Sequence, residues 1–280
     1  MHELRQDHSL SRLLKIADLP RSVFYYHRQV QKMPDKYGDL KERIRAIFDQ
    51  HHGRYGYRRI TATLQHLGEK INHKTVQRLM GIMGLKSTVR PKKFRSFKGD
   101  IGTAEPNELA RQFTADRPNQ KWVTDVTELS VDGDKLYLSP ILDLYNGEII
   151  SFETSTRPVF GMVVSMIKKA FAKLLPQEKP MLHSDQGWQY RMASYKAMLG
   201  ERGLVQSMSR KGNCHDNATM ESFFGVLKTE YFYQRKFASI EELQNGLSEY
   251  IRYYNYDRIK LRLNGLSPVS YRTQAMAKGC

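Results

Sequence analysis

The sequence predicts an α/β protein of 280 residues in two parts, an all-α region followed by a domain built on a mixed sheet. Through about residue 85, apolar side chains recur at helical spacing. After Pro118, three β-rich runs are separated by turn residues, and helical and strand-like runs then alternate. This order is typical of a mixed sheet with helices on its faces.

Five helices are predicted in the first part, and proline and glycine residues mark several of their ends. Pro20 begins the second helix, while Gly68 and Gly84 follow the fourth and fifth. The predicted spans are Leu10–Ala17, Pro20–Gln31, Leu40–Phe48, Tyr57–Leu67 and His73–Met83.

The last two of these helices suit a helix-turn-helix. Gly68–Ile71 joins them, and Asn72 is a good N-cap for the second. Burying the apolar stripe of that helix leaves Lys74, Gln77 and Arg78 facing outward, where a recognition helix contacts DNA. A plain helical bundle with a solvated basic face is the alternative.

Positive charge is concentrated in the same part of the chain. The formal net charge is +16, of which residues 1–112 carry +12 and residues 113–280 carry +4. Clustered Lys and Arg side chains bind polyanions because they displace counterions condensed on phosphates. The charge therefore favours DNA binding in the first part and chemistry in the second.

Composition excludes several classes of protein. A content of 40% apolar and 11% aromatic residues excludes a wholly disordered chain. No run approaches the length of a membrane span, so we expect no membrane partner. The N-terminus lacks the apolar core of a secretion signal, and Cys214 and Cys280 form no disulfide framework. We expect a cytoplasmic protein.

A basic segment joins the two parts. Residues 86–98 contain six basic residues and no acid, with Phe94 and Phe97 interleaved. This composition is typical of a linker that follows a phosphate backbone. A solvated tether is the alternative.

The second part begins with three predicted strands that pair in an antiparallel meander. Turn residues separate them at Asp132–Asp134 and Tyr145–Gly147. The predicted strands are Lys121–Leu129, Lys135–Leu144, Glu148–Thr156, Met181–Ser184 and Leu204–Met208. The predicted helices are Phe160–Leu175, Met192–Glu201, Asn217–Phe232, Ile240–Tyr254 and Ser267–Met276.

Three acids in this part occupy unusual positions. Asp125 lies in the middle of the first predicted strand, where a charge is costly unless it is paired or binds a metal. Asp185 follows the strand Met181–Ser184, and Glu221 lies in an otherwise apolar helical turn. Taken singly, they could equally be a polar strand-edge residue, a helix cap and a surface acid.

Taken together, the acids and their flanking residues resemble a known family. Two Asp and one Glu, with 35 residues between the second and third, are similar to the acidic triad of the retroviral integrase superfamily. The flanking segments resemble bacterial insertion-sequence transposases, in particular the second-reading-frame (OrfB) product of the two-frame group that transposes by copy-out, paste-in. These segments are His183–Tyr190, Lys211–Asn217, Glu221–Phe224 with Lys228, Tyr254–Arg258 and Leu266–Pro268.

The resemblance implies a fold, an activity and a cofactor. It implies a ribonuclease H-like mixed five-stranded sheet and a polynucleotidyl transferase that cleaves element ends and transfers strands. Asp125, Asp185 and Glu221 would be the catalytic metal ligands, holding two divalent cations roughly 3.5–4 Å apart. Hard oxygen ligands favour Mg²⁺, with Mn²⁺ as a substitute.

Further DNA contacts are expected beside the acids. At about 100° per residue, Asn217 and Lys228 lie about 40° and 20° from Glu221 around one helix, so we expect both to contact DNA. The family has a basic residue at the position of Lys228. Trp188 follows Asp185 in a polar segment and is the better candidate for base stacking, whereas Trp122 is expected in the core.

The resemblance also implies partners and a division into domains. The partners are the terminal inverted repeats of an element, target DNA, further copies of the chain in a synaptic complex and an upstream-frame segment joined by frameshifting. In a bacterial cell this implies association with the nucleoid. The expected domains are a short helical segment at 1–34, the helix-turn-helix at 35–95, a basic linker at 96–118 and the catalytic core at 119–277.

Three alternatives remain. A zinc site of His183, Cys214 and His215 lacks the usual ligand spacing. A non-catalytic DNA-binding repressor would need neither the triad nor Lys228. A ribonuclease H-like nuclease without strand transfer would not need the basic helical region.

Overall fold

Helices form the whole of the N-terminal part, as the apolar period predicted. The computed structural model describes residues 6–32, 35–88, 105–210 and 214–278. Asn72 caps the fifth helix, because its side chain accepts a hydrogen bond from the backbone N–H of Lys74 at 2.9 Å. The helices are α1 (Leu10–Ile16), α2 (Arg21–Lys32), α3 (Gly38–Gln50), α4 (Tyr57–His66) and α5 (His73–Ile82).

A small apolar core holds α3, α4 and α5 together. It contains Ile44 from α3, Ile60 and Leu64 from α4, and Val76 and Leu79 from α5, all without exposed surface. Since these buried residues fall on one side of α5, its polar side is left to solvent. The three helices form the helical arrangement that the sequence predicted.

The second part contains a mixed sheet. β3 pairs antiparallel with β4 on one side and with β1 and β2 on the other, and β1, β5 and β6 run parallel. This confirms the antiparallel meander and the mixed α/β class. The strands are β1 (Lys121–Thr124), β2 (Thr127–Val131), β3 (Asp134–Asp143), β4 (Ile149–Ser155), β5 (Met181–Ser184) and β6 (Gln206–Met208).

The first predicted strand, Lys121–Leu129, is interrupted at Asp125 and Val126. β1 and β2 both pair with β3, so together they fill one position in the sheet, and the expected five strands appear as six segments. Asp125 turns its Oδ1 back to the N–H of Val126 at 2.8 Å. An aspartate that binds the neighbouring backbone in this way competes with the sheet ladder. Asp125 therefore lies at the end of β1 and not in mid-strand.

Four helices cover the two faces of the sheet in the described residues, and a fifth, α10, packs against α9. α6 and α7 pack on the face that presents Trp122, Ile141 and Leu182, whereas α8 and α9 pack on the opposite face. α6 ends four residues earlier than predicted, consistent with the bias against helix before Pro176. The helices are α6 (Phe160–Phe171), α7 (Ala193–Arg202), α8 (Ala218–Glu230), α9 (Ile240–Tyr256) and α10 (Pro268–Lys278).

Residues 89–104, which include most of the basic segment 86–98 and the first part of the predicted linker 96–118, lie outside the described residues. From residue 105 the chain already packs on the sheet domain: Leu109 is buried in its core, and its N–H donates to Ser207 Oγ at 3.0 Å. The described end of this segment therefore belongs structurally to the sheet domain.

The helical part contacts the sheet domain through the segment between α3 and α4. The Tyr55 hydroxyl donates to the Asp257 carbonyl at 3.1 Å and accepts from the Ile259 N–H at 2.9 Å. His51 stacks on Tyr55 with ring centroids 3.7 Å apart. Arg54 Nε donates to the carbonyl of Glu230, the last residue of α8, at 3.1 Å. The two parts therefore share a buried polar interface.

Candidate active site

The topology brings two of the predicted acids together. β1 and β5 are parallel neighbours, with Val123 opposite His183. Asp125 directly follows β1 and Asp185 directly follows β5, so both carboxylates lie at the same edge of the sheet. The carboxyl ends of parallel strands are where α/β sheets bind ligands. Both side chains are half-buried.

Each carboxylate is oriented by its own backbone. Asp185 Oδ1 accepts from the Gly187 N–H at 2.9 Å, as Asp125 Oδ1 does from Val126. A Cβ on Gly187 would lie only 2.9 Å from Asp185 Oδ1, so this close approach requires glycine. Each of these hydrogen bonds occupies one carboxylate oxygen and leaves the second oxygen available as a ligand for a cation.

Three other predicted residues, Asp185, Glu221 and Lys228, lie close enough for their charges to act on Asp125. Burial and the negative charge of Asp185 raise the pKa of Asp125 well above its usual value. The charge of Glu221 raises it further, and the charge of Lys228 lowers it. Burial also raises the pKa of Asp185. The carboxylates repel one another, which is the electrostatic condition that a bound cation relieves.

Glu221 lies apart from the aspartate pair, in the first turn of α8. Its side chain is exposed, whereas Phe223, Phe224 and Leu227 anchor the helix in the core. Within the described ranges, no three His, Cys, Asp or Glu side chains are close enough to surround one ion. The structure therefore contains an aspartate pair with a third acid beside it.

Asn217 lies beneath the site and not on its surface. It is 4% exposed, and its Nδ2 donates to the carbonyl of Thr124, directly before Asp125, at 3.2 Å. Because α8 begins at Ala218 and Asn217 is in the preceding turn, its side chain does not continue the exposed helix face. This bond ties the start of α8 to β1. Contact of the buried Asn217 with DNA stays a prediction.

The donor set fits a hard divalent cation. Asp125, Asp185 and Glu221 offer carboxylate oxygens, the ligands that Mg²⁺ and Mn²⁺ prefer. The buried Oδ1 of Asn217 has no hydrogen-bond partner among the described residues, so it can accept from a water or another group at the site.

The zinc alternative is not supported by His183. This side chain is fully buried, with Nδ1 2.8 Å from Ser207 Oγ and Nε2 3.1 Å from Ser209 Oγ. Both ring nitrogens are therefore occupied. The side chains of Cys214 and His215 lie outside the described residues.

The other predicted DNA contacts lie at the surface. Lys74, Gln77 and Arg78 are exposed on α5, and the Arg78 guanidinium lies 5.1 Å from the centre of the Tyr37 ring. Trp188, three residues after Asp185, is 52% exposed. Trp122 is fully buried in the core, as expected.

Comparison with known proteins decides the family. Residues 36–93 match the model of an HTH-like domain, and residues 115–214 and 221–276 match two models of an integrase core domain. The transposase for the insertion sequence element IS904 of Lactococcus lactis subsp. lactis (strain IL1403) is 34% identical over 88% of this chain and 98% of its own length. The chain belongs to the insertion-sequence transposases.

A second insertion-sequence relative agrees. This chain is 56% identical to the putative transposase InsK of the insertion sequence element IS150 from Escherichia coli (strain K12), over 98% of this chain and 97% of that protein. The solved catalytic core of HTLV-2 integrase in complex with magnesium is 17% identical, with a TM-score of 0.44 over 56% of this chain and 97% of that one.

One residue that organises the site of the transposase was not singled out from its sequence. Asp216 is fully buried and accepts hydrogen bonds from Arg210 Nε at 3.0 Å, Arg111 Nε at 2.9 Å and Asn107 Nδ2 at 2.9 Å. The bonds from Arg210, with those from Arg111, hold its pKa well below the usual range despite burial. Asp216 thereby fixes the chain directly before α8. The available signal was its place inside the segment Lys211–Asn217.

None of the helices in the described ranges is long and apolar enough to cross a membrane.

Proposed function

We propose that this transposase cleaves the ends of its insertion element and joins the resulting 3′-hydroxyls to target DNA. The observation that carries the proposal is the pair Asp125 and Asp185 at the carboxyl ends of adjacent parallel strands, with Glu221 and Lys228 close enough to act on Asp125 electrostatically. Such a convergence of carboxylates and one cation suits chemistry on a phosphodiester.

Asp125, Asp185 and Glu221 would hold divalent cations, with Mg²⁺ preferred and Mn²⁺ as a substitute. When bound, two such cations would activate the attacking oxygen and stabilise the leaving oxygen of the phosphodiester. The backbone bonds to Asp125 and Asp185 orient their carboxylates, and Asn217 keeps α8 against β1.

Lys228 would bind a phosphate of the DNA end. It lies seven residues after Glu221, roughly 10 Å along α8, and is half-buried. Its positive charge acts on both Asp125 and Glu128. A cation at this distance cannot serve as a metal ligand, but it can hold the strand beside the acids. Trp188, exposed after Asp185, would stack on a base.

Recognition of the element end would come from α5. Lys74, Gln77 and Arg78 would face the major groove, and the expected helix-turn-helix domain, 35–95, would bind the terminal repeat ahead of the core, 119–277. Replacing Gln77 and Arg78 with Ala should cost about 1–3 kcal/mol per lost base contact. Arg45→Ala, at an exposed position on α3, is the matched control.

We also propose that the DNA complex is a homo-oligomer and that an upstream-frame segment takes part. The cell compartment would be the bacterial cytoplasm, at the nucleoid. These proposals rest on the family and on the HTH-like domain.

A strand-transfer assay tests the proposed function. Terminal DNA of the element, target DNA and Mg²⁺ should give a joined product with the unaltered chain. Asp125→Asn, Asp185→Asn and Glu221→Gln should each abolish the product, because members of one site are mutually dependent. Glu249→Gln, which changes an exposed acid on α9, should keep it.

The assay separates this function from the two alternatives. A nuclease would give cleavage without joining, and a repressor would give binding alone. Lys228→Ala should slow joining more than Lys168→Ala, a change at an exposed lysine on α6. Equal rates for these two variants would remove Lys228 from the proposal.

A further inference from the structure

Two adjoining cavities lie along one side of α8, the helix that carries Glu221. The first, of about 530 Å³, separates α8 from the segment around α4 in the helical part and is lined by Arg54, Arg58, Arg59 and Arg258. The second, of about 330 Å³, is lined by Arg258, Lys260 and Arg262. Both share Ser222, Val226 and Arg258, so they form one depression, which we call the α8 trough.

The floor of the α8 trough is made of small side chains. Ser222, Gly225, Val226 and Thr229 lie on one side of the helix. At about 100° per residue, Ser222 is about 100° around the axis from Glu221, so the trough runs alongside the proposed catalytic face. Small residues let a bulky ligand approach the helix closely, and the hydroxyls of Ser222 and Thr229 can donate hydrogen bonds.

The trough is strongly positive. Its described lining includes six basic side chains, named above, and one acid, Glu230. Glu230 is engaged by Arg258 at 2.7 Å and, more weakly, by Arg59 at 3.4 Å. This single acid cannot neutralise six cations, so the trough keeps a positive excess.

Lys260 is the cation most affected by this excess. Its Nζ donates to the Gly147 carbonyl at 3.0 Å and to the Tyr254 hydroxyl at 2.8 Å, both uncharged partners. Burial lowers its pKa well below the usual value, and the charges of Arg262, Arg258 and Arg59 lower it further, against an opposite effect of Glu148. A polyanion in the trough would relieve this repulsion.

We propose that the α8 trough binds the sugar-phosphate backbone of DNA, between the stretch held by the HTH-like domain and the scissile phosphate. Arginine and lysine side chains with serine and threonine hydroxyls are the groups that bind backbone phosphates without reading sequence. The trough opens on α4 at one end and passes beside Glu221, which matches a DNA path between recognition and chemistry. The assignment of this path, though not the binding itself, rests on the proposed function.

The test measures sequence-independent binding of the full chain to a short mixed-sequence duplex in EDTA, so that the acidic site takes no part. The variant combines Arg58→Gln and Arg262→Gln, two exposed positions on opposite sides of the trough. Arg58 makes one exposed hydrogen bond, to Tyr57, so the fold should be retained. Arg252→Gln, on the solvent side of α9, is the matched control.

Log K falls as log salt rises, and each lost phosphate contact should make this fall less steep by about 0.9. The slope of the double variant should therefore be less steep by about 2, and the variant should bind roughly 60-fold more weakly at 0.1 M salt. The control should keep the slope of the unaltered chain. A double variant with an unchanged slope would overturn the proposal.

A second variant adds a negative charge to the floor. Ser222→Asp should weaken binding about tenfold through repulsion of the phosphates, whereas Ser248→Asp on the exposed side of α9 should have little effect. Ser222 is exposed, so folding should not suffer. Equal binding by these two variants would also overturn the proposal. If the unaltered chain gave no joined product in the strand-transfer assay, the proposed function would be refuted. The binding results for the α8 trough would still hold.

Discussion

Glu230→Gln is expected to destabilise the transposase strongly, because Glu230 is the acid at which its two parts meet. Its carboxylate accepts from Arg258 Nε at 2.7 Å and from Arg258 Nη2 at 2.8 Å, and the Tyr250 hydroxyl donates to it at 3.2 Å. The side chains of Glu230 and Arg258 are only 8% and 6% exposed. Glutamine keeps the shape of the side chain but removes the charge.

The cost follows from the burial of the partner. Breaking a buried ion pair from one side leaves an uncompensated charge and typically costs about 3–5 kcal/mol. With an unfolding entropy of about 2.1 cal/mol/K per residue, a chain of 280 residues should then lose about 5–9 °C in melting temperature. Glu128→Gln removes the partner of an exposed lysine, Lys135, and should leave the melting temperature almost unchanged, because solvent screens this pair.

Thermal unfolding of both variants at neutral pH measures the difference. Burial raises the pKa of Glu230, but the hydrogen bonds and charge of Arg258 outweigh it and the net pKa is lowered. The stabilisation is therefore present above the usual value of 4.5 and is lost as the pH falls through the lower folded value. Equal melting temperatures for the Glu230 and Glu128 variants would refute this account of the interface.

Two further predictions concern a second interface residue and the glycine beside Asp185. Burial, and after it the charge of Arg54, lowers the pKa of His51 from 6.5 to about 4, so folding favours the neutral ring and stability should fall as the pH drops from 6.5 towards 4. His51→Gln should flatten this part of the plot of melting temperature against pH. An unchanged plot would contradict the assignment of this pH dependence to His51. Gly187→Ala should displace the Asp185 carboxylate and slow strand transfer. Gly161→Ala, where an added Cβ meets nothing within 4 Å, is the matched control and should keep activity. Full activity of the Gly187 variant would show that the carboxylate can move without loss.

The sequence predicted the helices and the meander because their signals are local. Apolar spacing, the Asn72 cap and the glycine turns act over a few residues, and the observed ends differ from the predicted ones by only a few positions. The interruption at Asp125 was missed because Val126 and Thr127 continue a β-rich run without Gly or Pro. Only the bond from the Val126 N–H to the Asp125 side chain reveals it.

The candidate site was predicted in part for the same reason. The acids could be found because their flanking segments resemble a family, and the sheet then brings Asp125 and Asp185 together. The role of Glu230 depends on Arg258, 28 residues after it, and that of Asp216 depends in part on Arg111, 105 residues before it. A single sequence contains no signal that pairs them. Asn217 was assigned to DNA from helix geometry, but the helix begins one residue later.

The contact of Tyr55 with Asp257 and Ile259 has a consequence for the DNA itself. It holds the HTH-like domain against the sheet domain, so under the proposed function the protein would set the distance from the bases that α5 contacts to the bond that is cut. One extra base pair would move that bond by about 3.4 Å and turn it by roughly 35° around the duplex. An insertion element could therefore change the base sequence of its ends more readily than the number of base pairs in them. Only that number must match a fixed distance in the protein.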